Sequence, residues 1–480
     1  MTDFETVIGL EIHAELDTES KVFCSCSTKF GAPPNSQTCP VCLGFPGVLP
    51  VLNEKVVELA LRAAVAFNCE VGRQNAFERK NYFYPDLPKA YQISQKALPI
   101  GRGGWVEIEV GGQAKRVGLV DVHMEEDTGK SVHGDDAGWA DKSLLDYNRA
   151  GVPLLEIVSQ PDMRSIEEAE TYMNEMRSIL LFLGVSDCKM EQGSLRFEAS
   201  CSLRPAGSEV LGNRVEIKNL NSFRAVANSL RADLRRQEAL LRAGGAVAQE
   251  TMLWNEEKGV TEPMRSKETS SDYRYFPEPD LVPLEISGEW IARVRAELPE
   301  LPSARRRRLS EGLGLPEETA EKLTATRATA DFFEETLRAH GDARSVANWI
   351  IGDFAALLNE DKLEIQESRV TPQCLADLLK LIDDGAISGK QAKEVFAEMY
   401  RSGKPPADIV EARGMKQVSD EGQLSDLLDQ IIAANPQAVA DLKAGNQKTR
   451  GFFVGQAMKA TKGQANPQMV NELLAEKLGS

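Results

Sequence analysis

The run from Leu144 to Val158 sets Asp146, Asn148, Arg149 and Glu156 inside an apolar stretch that otherwise reads as buried strand. Ionisable groups leave water at low cost only when they are paired or bound to something. Two readings follow, a set of satisfied core pairs or one wall of a binding site. Because perturbed charges concentrate at sites, the segment is read as a site wall.

A chain of 480 residues exceeds what a single core organises, and the length prior is roughly three domains. Thr6 to His13, Trp105 to Val110 and Val117 to Val122 alternate with the strand period, while Glu54 to Phe67, Ile166 to Leu183 and Ala225 to Arg242 carry apolar residues at helical spacing, the last ended by Gly244-Gly245. This mixture predicts an α+β domain with a substantial sheet. Composition shifts near Pro299 to Pro302, after which the chain is almost entirely helix-forming and opens with the basic cluster Arg305 to Arg308. A second break falls at Gly403 to Pro406, and Asn435-Pro436 and Asn466-Pro467 then read as helix starts. The predicted organisation is an α+β domain over 1–296, a helical domain over 297–405 and a small helical tail over 406–480.

The net charge of −17 argues against a surface that grips nucleic acid everywhere, because phosphate binding needs lysine and arginine to displace counterions. Contact with nucleic acid must then be local. Lys443, Lys448, Arg450, Lys459 and Lys462, facing only Asp441, form the candidate stretch, a solvated helix face being the plain alternative. The start of the chain has no basic region followed by an apolar core, and no run approaches the roughly 20 apolar residues of a membrane span. A cytoplasmic protein with no membrane partner is expected.

Cysteines are crowded at Cys24, Cys26, Cys39 and Cys42 and isolated at Cys69, Cys188, Cys201 and Cys374. In a reducing compartment crowding favours a metal over disulfides. Cys39-Pro40-Val41-Cys42-Leu43-Gly44 has the form of a zinc knuckle, and Cys24-Ser25-Cys26 supplies a second thiolate pair. Four sulfur ligands leave zinc no open position, so the role expected of the metal is structural. The isolated cysteines read as core fillers.

Neither a P-loop nor a dinucleotide-binding glycine motif is present, and no serine-hydrolase or amidase elbow occurs. Chemistry must come from dispersed polar groups. Alternation puts Glu11 and His13 on one strand face, where a carboxylate and an imidazole can share a cation. Glu125-Glu126-Asp127 follows His123, and Glu156 ends the opening segment. Oxygen-rich sets of this kind suit magnesium or manganese, although adjacent acids also mark solvated turns. The Pro-stiffened segment Arg79 to Gln95 packs Lys80 and Lys89 among aromatics and amides. It reads as a pocket for phosphate, carboxylate or a stacked nucleotide, or else as an aromatic loop packed on its own sheet. Glu216 to Arg224 and Met264 to Glu268 repeat the pairing of cations and amides with apolar anchors, a composition suited to anionic ligands.

With these motifs in order, the chain resembles the GatB/GatE family of tRNA-dependent amidotransferase subunits essentially from end to end. The likeness rests on Val7 to His13, Arg79 to Gln95, His123 to Asp127, Asp146 to Glu156, Glu216 to Arg224, Asp272 to Pro277, Asn348 to Ile350 and Gly451 to Lys459. It implies a mixed-sheet cradle followed by helical domains, the last touching tRNA. It also implies a two-step reaction in which ATP phosphorylates the side-chain carboxylate of a mischarged tRNA and ammonia then displaces phosphate. The ammonia would come by a channel from a separate subunit that is the amidase. A small third subunit would complete a heterotrimer, and a non-discriminating aminoacyl-tRNA synthetase is a further partner the resemblance suggests.

Carried over by position, the magnesium ligands are Glu11, His13, Glu125 and Glu156, and Lys80, Lys89 and Glu126 fall where ammonia and the activated carboxylate meet. Asn148 and Arg149, chosen on residue type and nearness to Glu156, are expected beside phosphate. Gln192 stands where the family often has a second acid and is excluded from the metal shell. Phe197-Glu198-Ala199-Ser200 departs from the family's commoner pattern, so no polar role is carried over there. Two rival readings stay open: a non-catalytic tRNA-binding scaffold that docks an amidase, and a zinc hydrolase, which the closed four-thiolate set disfavours.

Overall fold

The computed structural model describes residues 3–134, 142–264, 273–415, 421–443, 448–461, 465 and 467–478. It divides into two compact units, Met1–Ser303 and Ala304–Ser480. Among the sequence motifs, Arg265 to Glu268, Asp272, Lys462 and Asn466 lie outside the described residues, as do the side chains of Asp441, Lys443 and Lys448.

The first unit is built on a 13-stranded sheet. Its strands include β1 (Phe4–Glu15), β2 (Glu78–Asn81), β3 (Tyr91–Ser94), β4 (Gln113–Glu126), β5 (Pro153–Ser159), β6 (Leu195–Pro205), β7 (Val215–Lys218), β8 (Glu250–Asn255), β9 (Val260–Pro263) and β10 (Phe276–Pro277). The main path runs β9-β8-β7-β6-β1-β5-β4-β3-β2-β10. Pairing is antiparallel except between β7 and β8, which run parallel, so the sheet is mixed and the α+β expectation holds.

Three helices cover one face: α1 (Glu54–Ala66), α2 (Ile166–Leu183) and α3 (Phe223–Arg242). Their ends follow local chemistry. The Asn53, Ser165 and Ser222 side chains accept from the Lys55, Glu168 and Ala225 amides, and Gly184 closes α2 at a φ of 61° that suits a residue without Cβ. On β1 the strand period sorts the residues: Ile8, Leu10, Ile12 and Ala14 are buried in the helix-covered core, and Glu11, His13 and Glu15 alternate with them. Each such Ile or Leu contributes about 1.5–3 kcal/mol by burial. A register slip of one residue would send the acids into that core, and this holds the register in place.

The opening segment does not form one continuous strand. Ser143–Asp146 pairs with Lys130–His133, a turn follows, and the chain re-enters the sheet as β5.

Every secondary-structure element described in the second unit is a helix. One apolar cluster gathers Phe333, Phe354 and Phe396, and another gathers Leu428, Phe453 and Leu474. The basic cluster at its start is internally satisfied: Arg305 is buried against Asp331 and Glu334, both at 2.7 Å, and Arg308 reaches Glu334 at 2.6 Å. In the candidate tail stretch, Lys459 is exposed while Arg450 is half-buried, its guanidinium donating to the Asn471 carbonyl at 3.4 Å. No helix among the described residues is long and apolar enough to cross a membrane.

Candidate functional site

A polar row crosses the sheet on the face opposite the helices. Register sets His13 of β1 opposite Glu156 of β5, and Glu156 opposite His123 of β4. Glu156 lies 3.5 Å from His13 Nε2 and 3.1 Å from His123 Nε2, and Asp121 holds His123 Nδ1 at 2.8 Å. Glu125, two residues along β4 from His123, points to the same face, and ligand atoms of His13, Glu125 and Glu156 all lie within 4.8 Å of one another. Glu125 Oε2 is buried with no hydrogen-bond partner among the described residues.

Charge in this row is unevenly shared. Burial, and then the charge of Glu156, raises the pKa of Glu125. Burial works against the charged forms of His13 and His123, yet their bonds to Glu156 outweigh it, and His123 is pushed up to about 10. Burial also opposes the ionised form of Glu156, but His123 and then His13 hold it well below the usual carboxylate range. The result is one firmly ionised carboxylate between two imidazoles, beside a carboxyl oxygen that lacks a partner. Such a set of oxygens and nitrogens fits a hard divalent cation, which would bring the charge that the partnerless oxygen lacks.

Glu11 belongs elsewhere. It stands opposite Glu198 on β6, and its carboxylate gathers with those of Glu198 and Glu216 within 4.8 Å. Lys218 compensates this second trio, at 2.9 Å from Glu198 and 3.4 Å from Glu216. Of the four residues predicted to share a magnesium ion, the structure thus brings three into one cluster and puts Glu11 in the adjoining one. Glu198, to which the family pattern lent no polar role, is a member of that adjoining cluster.

Consecutive acids part company at the end of β4. Lys80 on β2 is held near Glu125, its ammonium 5.2 Å from the Tyr273 ring centre and 6.0 Å from that of Tyr82, with a pKa that burial would lower but Glu125 raises. Glu126 turns to the other side, where it pairs with Lys89 and accepts the Ile93 amide at 2.8 Å. That pair lines a cavity shared with Lys21, Phe23, Cys42 and Tyr91. Lys80 and Lys89, neighbours in the sequence motif, therefore serve opposite sides of the sheet.

The geometry does not carry the expectation that Asn148 and Arg149 meet phosphate. Asn148 accepts the Gln37 amide at 2.8 Å and donates to the Pro33 carbonyl at 2.8 Å, which ties down the cysteine loop. Arg149 donates to the Thr128 and Gly129 carbonyls at 3.0 and 2.8 Å and lies 3.5 Å from Asp127. Both side chains thus contact the loops on either side of the turn before β5.

Cys24, Cys26, Cys39 and Cys42 are free thiols whose sulfurs all lie within 4.8 Å of one another. The Cys39–Cys42 separation of 3.9 Å is close to the about 3.8 Å that tetrahedral zinc with Zn–S of about 2.3 Å imposes. The contact with Cys24, the Cys39 amide and the charge of Lys21 draw the Cys42 thiol well below its ordinary range.

Sequence reasoning gave no role of their own to His123 and Arg196. The first had a signal, since the strand period that pairs Glu11 with His13 also aligns Asp121, His123 and Glu125. Arg196, opposite His13 and 2.8 Å from Asp127, had none, because only sheet register brings it there.

Comparison with known proteins defines the class first. A model described as the GatB/GatE catalytic domain matches residues 6–292, and one described as the GatB domain matches residues 331–478. These matches make the chain part of a glutamine-dependent amidotransferase, an enzyme of the ligase class. It is 54% identical to a Thermoanaerobacter pseudethanolicus protein over 99% of both chains, and 56% identical to one from Moorella thermoacetica over 99% of this chain and all of the relative. It is 53% identical over the full length of both chains to one from Brevibacillus brevis. All three are named as the B subunit of aspartyl/glutamyl-tRNA(Asn/Gln) amidotransferase. The chain belongs to the GatB/GatE family.

Proposed function

We propose that this chain carries out the ligase half of a tRNA-dependent amidation in the cytoplasm. In the first step a carboxylate oxygen of Glu on tRNA(Gln), or of Asp on tRNA(Asn), attacks the γ-phosphorus of ATP, and ADP leaves with the bridging oxygen. In the second, ammonia attacks the resulting acyl phosphate, the carbon–oxygen bond to phosphate breaks, a proton is lost, and the amide and inorganic phosphate remain.

His13, Glu125 and Glu156 would hold Mg2+, with Glu11 at the edge of the set. When bound, the ion supplies neutralisation of phosphoryl charge, the main demand of this chemistry. His123, fixed by Asp121, orients Glu156. Lys80 offers a half-enclosed cation to the carboxylate or phosphoryl oxygens as charge moves between them. The Lys89–Glu126 pair, on the other side of the sheet, suits the arrival of ammonia from a partner amidase. The rings around Lys80 keep bulk water from the acyl phosphate. The cysteine set would hold a structural zinc, a small third subunit would complete the heterotrimer, and the helical tail would meet tRNA.

The observation that carries this reading is the partnerless Glu125 oxygen within 4.8 Å of ligand atoms of His13 and Glu156, a grouping a docking scaffold has no use for. The test supplies ATP, magnesium, mischarged tRNA and ammonium chloride in place of the amidase. Amide formation that His13→Ala and Glu156→Ala abolish supports the ligase, whereas tRNA binding with no ATP turnover supports the scaffold. Offering Glu-tRNA(Gln) and Asp-tRNA(Asn) separately identifies the substrate.

A further inference from the structure

Lys21 is the one lysine among the described residues that is completely buried. No described carboxylate lies within ion-pair distance of it. Its ammonium donates instead to Cys42 Sγ at 3.6 Å and to the Tyr147 carbonyl at 3.3 Å. Its backbone is tied to the same loop, since the Lys21 amide donates to the Cys26 carbonyl at 2.9 Å. On the other side the Val22 amide donates to the Gly151 carbonyl at 3.0 Å, and the Cβ position of Gly151 lies 3.5 Å from both Lys21 Cδ and Cys42 Cβ.

An ammonium removed from water without a counter-charge is strongly disfavoured. A carbonyl dipole does not supply that charge, which leaves the sulfurs to supply it. Four thiolates around one divalent ion do so, because they leave two net negative charges on the centre. Hydrogen bonds to ligand sulfur also spread that charge and hold the ligand in place.

We propose that Lys21 is the built-in counter-charge of the four-cysteine metal centre and the strut that fastens it to the Tyr147–Gly151 turn, from which β5 carries Glu156 into the site. The inference rests on the zinc reading of the cysteines. On it, the strut ties the loop-borne centre to the turn that leads into β5, whose register the sheet itself fixes. Lys21 is a positioning residue, acting through Cys42 and the turn rather than on substrate.

The test uses the full-length chain, unchanged or carrying Lys21→Met or Lys21→Arg. Zinc per chain is measured first, then zinc affinity by competition with a chromogenic chelator, then the sulfur-to-metal charge-transfer band after exchange for Co2+. The unchanged chain should hold one zinc. Lys21→Met should bind it about 10- to 100-fold more weakly and move the Co2+ band to lower energy, because Cys42 loses an N–H donor. Lys21→Arg should restore most of both. In the unchanged chain, acetic anhydride should modify Lys21 only after the zinc is stripped, a readout that survives even if Lys21→Met does not fold. Affinity and band unchanged in Lys21→Met, or Lys21 labelling indifferent to zinc, overturns the proposal. An unchanged chain that binds no zinc overturns the zinc reading itself.

Discussion

The cysteine set and the His13–Glu125–Glu156 set both gather metal-binding atoms within 4.8 Å, yet they are assembled in opposite ways. The cysteines come from a single loop between Cys24 and Cys42, and backbone turns bring them together. The other set comes from three strands distant in sequence, and only sheet register brings them together. Their counter-charges differ as well: Lys21 donates to a sulfur of the first, whereas His123, Lys80 and Arg196 surround the carboxylates of the second. A closed, locally built centre is suited to holding structure. A centre with a partnerless oxygen, built on a rigid sheet, is suited to holding a reaction.

If that contrast is right, damage to the two centres should separate. The largest effect is expected from His13→Ala or Glu156→Ala, which should cut ammonia-dependent amidation by about 10²- to 10³-fold, the several kcal/mol of charge stabilisation a divalent ion supplies. Zinc content should not change. Near-normal amidation in either variant would erase the distinction.

His123→Asn removes a support of Glu156 rather than a proposed ligand. Magnesium dependence of ATP turnover should show a loss of about 10- to 100-fold in metal affinity, the usual cost of losing an outer partner, with kcat recovering at high magnesium.

For the loop centre, Cys39→Ser should empty the zinc and lower the Tm of the first unit by about 3 °C, corresponding to ~2 kcal/mol in a unit of this size. Activity measured below that Tm should stay within about threefold, well short of what the loss of a group acting on the reaction costs. An activity loss as deep as that of His13→Ala would mean the cysteines do chemistry.

The smallest effect sharpens the sheet side alone. Burial, and then Asp127, pushes Glu15 up from 4.5 to about 8. A carboxyl whose pKa is higher folded than unfolded gives stability that is full below about pH 4.5 and is lost as pH rises to about 8. Glu15→Gln, which mimics the protonated acid, should therefore gain on the unchanged chain across that window, by of order 1 kcal/mol once coupling to Asp127 is discounted. Urea denaturation at both ends of the window measures it. A pH-independent difference would show that Glu15 is ionised throughout.

The same contrast explains what could be read beforehand. Cysteine spacing is local, so the four-sulfur cluster was legible from residues alone. Strand period exposed Glu11 and His13 as facing one way, the acidic run and the apolar setting marked Glu125 and Glu156, and the family resemblance grouped the four. None of these could tell that Glu11 would join Glu198 and Glu216 instead, because the choice is made by which β6 residue lies opposite. Asn148 and Arg149 illustrate a related point. Their residue type suits phosphate equally well, and only the packed turn shows their donors already committed to the Pro33–Gln37 loop and the Thr128 and Gly129 carbonyls.

Composition and periodicity thus determined the α+β character of the first half, the helical second half, and the presence of two ligand-rich regions. These features depend on neighbours a few residues apart. Tertiary structure decided which acids share a cluster, which lysine faces which side of the sheet, and where a buried ammonium finds its counter-charge. Those outcomes depend on the pairing of strands more than a hundred residues apart, as between His13 and Glu156, and on desolvation that exists only once the sheet has closed over them.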